Sequence, residues 1–213
     1  EEAFPEISVT ASIQVLPEMR EYERFSTTTA NAYVQPAMAG YLERLGAELK
    51  RRGFACPLYL VLSSGGITTV ETATRFPIRL VESGPAGGAI MGQVVAKQIG
   101  AKNTIALDMG GTTAKIILLN EFEPRHGRAM EVARTARFLP GSGLPLRIPV
   151  IDMIEIGAGG GSIAWVDATG GLHVGPKSAG ADPGPACYGK GSTDPVVTDA
   201  NLVLGREIGR AHV

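Results

Sequence analysis

The chain has 213 residues, 44% of them hydrophobic, and a formal net charge of −1. That suffices to bury the core of one large domain or two small ones, and it lacks the basic patch that a nucleic-acid binder needs. No apolar run approaches the about 20 residues of a membrane span and no signal-peptide pattern opens the chain, so a cytoplasmic protein that engages neither membrane nor nucleic acid is expected. Cys56 and Cys187 are isolated and read as reduced thiols; neither they nor His126, His173 and His212 show metal-ligand spacing.

In chain order, residues 7–13 (ISVTASI) predict an opening strand. The mixed charges of residues 20–24 (REYER) read as a solvated ion-pair cluster. A long helix follows over residues 30–52, with Tyr33, Val34, Ala37, Met38, Tyr41, Leu42, Leu45 and Leu49 at helical spacing, Gly53 as its stop and a kink or break at Pro36. Residues 57–62 (PLYLVL) predict a buried strand running into Ser63, Ser64, Gly65 and Gly66, which either line a cleft at the strand's carboxyl end or form a plain turn. Residues 69–75 predict a short helix ended by Pro77. Over residues 81–100 (VESGPAGGAIMGQVVAKQIG), Ser83 suits an N-cap, Pro85 the first turn and Gly100 the stop of a further helix. Its glycines Gly84, Gly87, Gly88 and Gly92 cost about 1 kcal/mol each against alanine, which implies a close approach by another helix or by a phosphate. The four-residue spacing of Gly88 and Gly92 on one face favours close helix packing at a lobe junction.

Residues 103–119 (NTIALDMGGTTAKIILL) organise the rest. Two apolar runs flank a glycine pair, predicting a hairpin whose tip is a nest. Without a Cβ, Gly110 and Gly111 can turn their N–H groups toward an anion, and Thr112 and Thr113 add hydroxyl donors. Asp108 would then face a bound phosphate, holding Mg²⁺ through water or orienting a nucleophile. An ordinary hairpin whose aspartate caps its own turn fits the same residues.

Residues 130–138 predict a third strand of this meander. Residues 141–191 then hold nearly half of the chain's 28 glycines. Within them, residues 156–167 (IGAGGGSIAWVD) read as strand, glycine turn and strand. Interspersed Trp165, His173 and Tyr188 argue for an ordered loop that wraps something rather than a disordered tract.

The sequences ESGPAGG, DMGGTTAK, IGAGGGSIAWVD, VGPKSAGADPGPACYGKG and VTDANLVLG occur in that order. Together with REYERFSTTTANAYVQP they resemble the hydantoinase A/5-oxoprolinase family, over nearly the whole chain. The resemblance implies an α/β fold of the ribonuclease-H-like, actin-like ATPase kind, with a mixed sheet flanked by helices. Residues 1–213 would then form the second lobe of a longer protein, a single domain carrying the glycine-rich region 141–191. A first lobe with the other phosphate loop is expected before Glu1.

By the same resemblance Asp108, Gly110, Gly111, Thr112 and Thr113 form the second phosphate loop for ATP and Mg²⁺, with Asp108 bound to the metal through water. Gly159, Gly160, Gly161 and Ser162 are further candidates for the nucleotide, and Asp108, Thr113 and Lys115 for catalysis. At Lys115 many oxoprolinase-type members carry an acid. An ammonium there either replaces a bound cation near the phosphates or points to solvent. The implied activity is ATP-dependent hydrolysis of a cyclic amide, with a B-type subunit or domain as partner. An ATP-binding subunit of an acetone or acetophenone carboxylase-like enzyme and a nucleotide-binding scaffold are the alternatives.

Overall fold

The computed structural model describes residues 7–135, 139 and 141–207. In chain order the helices are α1 (Ser12–Val15), α2 (Glu21–Arg51), α3 (Val70–Arg75), α4 (Ser83–Ile99) and α5 (Val197–Val203). The strands are β1 (Tyr59–Val61), β2 (Ile67–Thr69), β3 (Thr104–Met109), β4 (Ala114–Asn120), β5 (Glu123–Pro124) and β6 (His126–Gly127), followed by β7 (Met130–Val132), β8 (Leu144–Leu146), β9 (Val150–Ile151), β10 (Ile154–Ile156), β11 (Ser162–Val166) and β12 (Leu172–Ser178). The α/β class is as expected, and the strands are shared among several small sheets rather than one. The chain divides into two compact units: Glu1–Thr104 with Leu119–Asp152, and Ile105–Leu118 with Met153–Val213.

In the first unit, Val15, Ile78, Leu146, Ile148 and Val150 form a hydrophobic cluster. Helix α2 contributes polar residues that stitch loops together. The buried Asn31 donates to the Arg75 carbonyl (3.2 Å) and accepts from the Ile78 N–H (3.2 Å). The buried Thr27 hydroxyl donates to the Glu23 carbonyl (2.6 Å) and accepts from the Arg147 N–H (2.9 Å). Each bond spares a buried polar group the cost of lost hydration.

Three features depart from expectation. Helix α2 starts at Glu21 rather than near Ala30, so REYER forms its beginning, where Glu21 and Glu23 suit the positive end of the helix dipole. It runs through Pro36 without a break, held by its packed inner face. The opening strand does not form: α1 occupies its end, and residues 1–6 lie outside the described part.

Strand β1 is only three residues long and half exposed, not a buried strand; it pairs antiparallel with β2, Tyr59 opposite Thr69. Helix α3 forms as expected, with the Thr69 hydroxyl accepting from the Thr72 N–H. In α4, Ser83 is the first helical residue rather than the cap. Glu82 takes that position at φ +61°, and Gly100 stops the helix at φ +71° as expected. A Cβ at Gly84 or Gly88 would meet nothing within 4 Å among the described residues.

In the second unit, β4 lies between β3 and β10, paired with β10 through Ile154↔Ile116, Glu155↔Lys115 and Ile156↔Ala114. The third strand of the meander is therefore not residues 130–138. Positive φ at Glu121 (+48°) and Phe122 (+68°) turns the chain into the two-residue β5, and β7 pairs with β8 instead; residues 136–138 lie outside the described part. Strands β11 and β12 form a separate antiparallel ribbon, with α5 following.

Candidate functional site

The hairpin forms where the glycine pair predicts it. The Gly110 N–H donates to the Thr113 carbonyl (2.9 Å), which closes a two-residue turn at Gly111 and Thr112. Gly110, Gly111 and Thr112 are exposed, and Thr113 and Asp108 are half-buried. A Cβ at Gly111 would meet nothing within 4 Å, so this side of the turn is open to a ligand.

The other side is seated on backbone. The Gly160 and Gly161 N–H groups donate to the Gly110 (2.9 Å) and Gly111 (2.7 Å) carbonyls. A Cβ built on Gly159 would stand 2.6 Å from the Gly110 oxygen and 2.7 Å from backbone carbons of Gly111 and Thr112. Only glycine permits that approach. The loop is fixed in turn: Thr198 N–H donates to the Gly160 carbonyl and Ala179 N–H to the Gly161 carbonyl, both at 2.8 Å. Ser162 is buried with its hydroxyl turned inward, accepting the Gly159 N–H (2.9 Å). The nucleotide candidates Gly110, Gly111, Gly159, Gly160 and Gly161 thus meet in one place, with Ser162 supporting them from behind.

Pairing of Gly110 with Thr113 sets Asp108 across the hairpin from Lys115, since both lie two residues further from the turn. Glu155 is Lys115's partner on the other side. The three form a charged row across β3, β4 and β10. The Lys115 side chain is only 12% exposed and its Nζ is 3.9 Å from the Glu155 carboxylate, so it does not point into open solvent. Among the described residues the Asp108 carboxylate accepts no hydrogen bond from the turn, so it does not cap it. Nor do three or more His, Cys, Asp or Glu residues gather to hold a metal ion. Asp108 would bind Mg²⁺ only with phosphate oxygens and water completing the shell, the usual arrangement for that ion.

Asp199 received no role from the sequence. Its carboxylate accepts from the N–H groups of Cys187 (2.8 Å), Val196 (2.9 Å) and Ala186 (3.3 Å), tying the proline-glycine segment to the start of α5, next to Thr198 and hence to the Gly160 loop. Burial pushes the carboxyl up, but these bonds and one from the Cys187 thiol outweigh it and hold it below the usual range. Burial, then Asp199, pushes the Cys187 thiol up, so it stays protonated at neutral pH and is a poor nucleophile. An aspartate at the third position of a helix was the available signal, though it did not reveal the distant amides.

Residues 24–210 match the family model described as hydantoinase/oxoprolinase. The chain belongs to that family. The caprolactamase alpha subunit of Pseudomonas jessenii is 41% identical over 203 residues, covering 95% of this chain and 28% of the relative. The acetophenone carboxylase gamma subunit of Aromatoleum aromaticum is 34% identical over 200 residues, covering 93% of this chain and 26% of the relative. The crystal structure of ATP-dependent caprolactamase from Pseudomonas jessenii superposes with a TM-score of 0.67 at 38% identity, covering 100% of this chain and 29% of that one. The chain thus spans less than a third of the length of these family members. Among the described residues no helix is long and apolar enough to cross a membrane.

Proposed function

We propose that this chain supplies a phosphate-binding hairpin to an ATP-dependent hydrolase of cyclic amides, as the second lobe of an actin-like ATPase. The observation that carries this reading is the turn at Gly110–Thr113: open on its Gly111 side, anchored by backbone bonds to Gly160 and Gly161, and preceded by a carboxylate that does not cap it. Fixed N–H groups and hydroxyls that need no rearrangement are what charge stabilisation at a phosphoryl group requires.

In this reading the Gly111, Thr112 and Thr113 N–H groups and the threonine hydroxyls hold ATP phosphate oxygens. Asp108 holds Mg²⁺ through water, and the ion would neutralise charge developing on the phosphates. Lys115, kept in the charged row by Glu155, adds a positive charge on the Asp108 side. Transfer of the γ-phosphoryl to the ring's amide oxygen releases ADP and turns a poor electrophile into one that water can attack; cleavage of the C–N bond then frees the ring nitrogen and leaves an acyl phosphate, which a second water hydrolyses to the ring-opened carboxylate and phosphate. The remainder of the protein and a B-type subunit would complete the site.

A carboxylase subunit is the second reading, favoured by the similarity to an acetophenone carboxylase gamma subunit. Full-length protein with its partner subunit, assayed for phosphate release with caprolactam, hydantoin and 5-oxoproline and separately with ketones plus bicarbonate, separates the two. ATP consumption stoichiometric with ring opening supports hydrolysis of cyclic amides; consumption only with ketone and bicarbonate overturns it.

A further inference from the structure

The first unit contains a pocket that the hairpin chemistry does not use. Its volume is about 440 Å³. Val15, Leu16, Leu62 and Ile148 give it an apolar wall, and its polar groups are Ser64, Glu18, Arg79, Arg128 and Arg147. Three arginines and one glutamate thus line it.

That carboxylate is engaged: Arg147 donates its Nε–H to Glu18. Arg79 is held by geometry rather than neutralised. One of its terminal nitrogens donates to the Val15 carbonyl (3.3 Å), and its guanidinium carbon lies 4.9 Å from the centre of the Phe76 ring. Arg128 is exposed and forms no hydrogen bond or ion pair among the described residues. A guanidinium carries five donors, so most of the donor capacity of this cluster is unspent.

The loop beside it is rigid. The buried Ser63 hydroxyl shares its one proton between the Arg79 (2.7 Å) and Val81 (2.5 Å) carbonyls, and the Ser63 N–H donates to the Arg79 carbonyl (2.8 Å). Gly65, at φ +83°, leaves no room for a Cβ against Ile90. This loop carries Ser64, which lines the pocket, and ties down the backbone from which Arg79 projects, so these two residues are placed before any ligand arrives.

We infer that this pocket binds a small carboxylate with an apolar body, its head on Arg79, Arg128 and Arg147 and its body on Val15, Leu16, Leu62 and Ile148. The planar guanidinium fork matches a carboxylate in two parallel bonds, and a concave apolar wall with a few convergent polar groups suits an organic anion better than an inorganic one. The inference rests on residues of the first unit alone and is independent of the hairpin's role in ATP use.

Ligand-observed NMR on the full-length protein tests it, with hexanoate as probe, hexanamide as its neutral counterpart and inorganic phosphate as an anion without an apolar body. Hexanoate should bind saturably, at least tenfold more tightly than either of the others. Arg128→Gln, at an exposed position, should weaken hexanoate about 10- to 100-fold without lowering the melting temperature, as expected for loss of a charge-assisted contact. Hexanamide or phosphate binding as well as hexanoate, no saturable hexanoate binding, or unchanged affinity in Arg128→Gln would each overturn it. ATP hydrolysis measured beside these variants reports on the hairpin separately.

Discussion

At the scale of single residues, three adjacent positions of the site respond differently to one added methyl group. Gly159→Ala places a Cβ 2.6 Å from the Gly110 oxygen, on backbone that cannot move without opening the hairpin. Unfolding by urea should show a loss of about 2 to 3 kcal/mol. In Gly160→Ala the one close contact is with the Thr198 hydroxyl, also at 2.6 Å, the Gly110 oxygen lying at 3.8 Å, and the threonine side chain can rotate away. Its cost should be about 1 kcal/mol, and equal losses for the two would refute the backbone seating. Gly111→Ala meets nothing within 4 Å. Stability should stay within about 0.5 kcal/mol, while ATP turnover by the full-length protein falls at least tenfold, because the methyl group occupies the open side of the turn. Full turnover in a stable Gly111→Ala protein would mean that no phosphate approaches there.

At the scale of elements, the Asp199 carboxylate joins two segments that no strand pairing connects. Its folded value lies below the ordinary one, so its stabilisation is complete above the unfolded carboxylate value of about 4 and disappears as pH falls through the lower folded value. Hydrogen exchange at the Ala186, Cys187 and Val196 amides, corrected for intrinsic rates, should be protected at pH 5 to 7 and lose protection in acid. Asp199→Asn should remove that pH dependence, and an unchanged acid response would assign it to another group. The hairpin was legible because glycines, threonines and a following apolar run are a local pattern. Its seat on residues 159–161 was not, since glycine backbone packed against glycine backbone leaves no side-chain signature. Helix α2 was legible in its middle and not at its start, because its inner face there is polar: Thr27 and Asn31 are buried to bond with loops distant in sequence. Residues 130–138 look like a continuing meander only until positive φ at Glu121 and Phe122 redirects the chain.

At the scale of the whole molecule, the hairpin accounts for one side of a nucleotide at most, and the chain spans less than a third of its relatives. By itself it should bind ATP with Mg²⁺ weakly and open no ring, and micromolar affinity in calorimetry would contradict a shared site. The central claim is that Asp108 serves the phosphates rather than the turn. Steady-state ATP hydrolysis by full-length Asp108→Asn protein, with its partner subunit and a cyclic amide that the wild type accepts, tests it most directly. The account predicts turnover reduced about 100-fold or more with unfolding stability within about 1 kcal/mol of wild type, since shape is kept and only the charge is removed. Turnover near that of the wild type in a folded protein would contradict it.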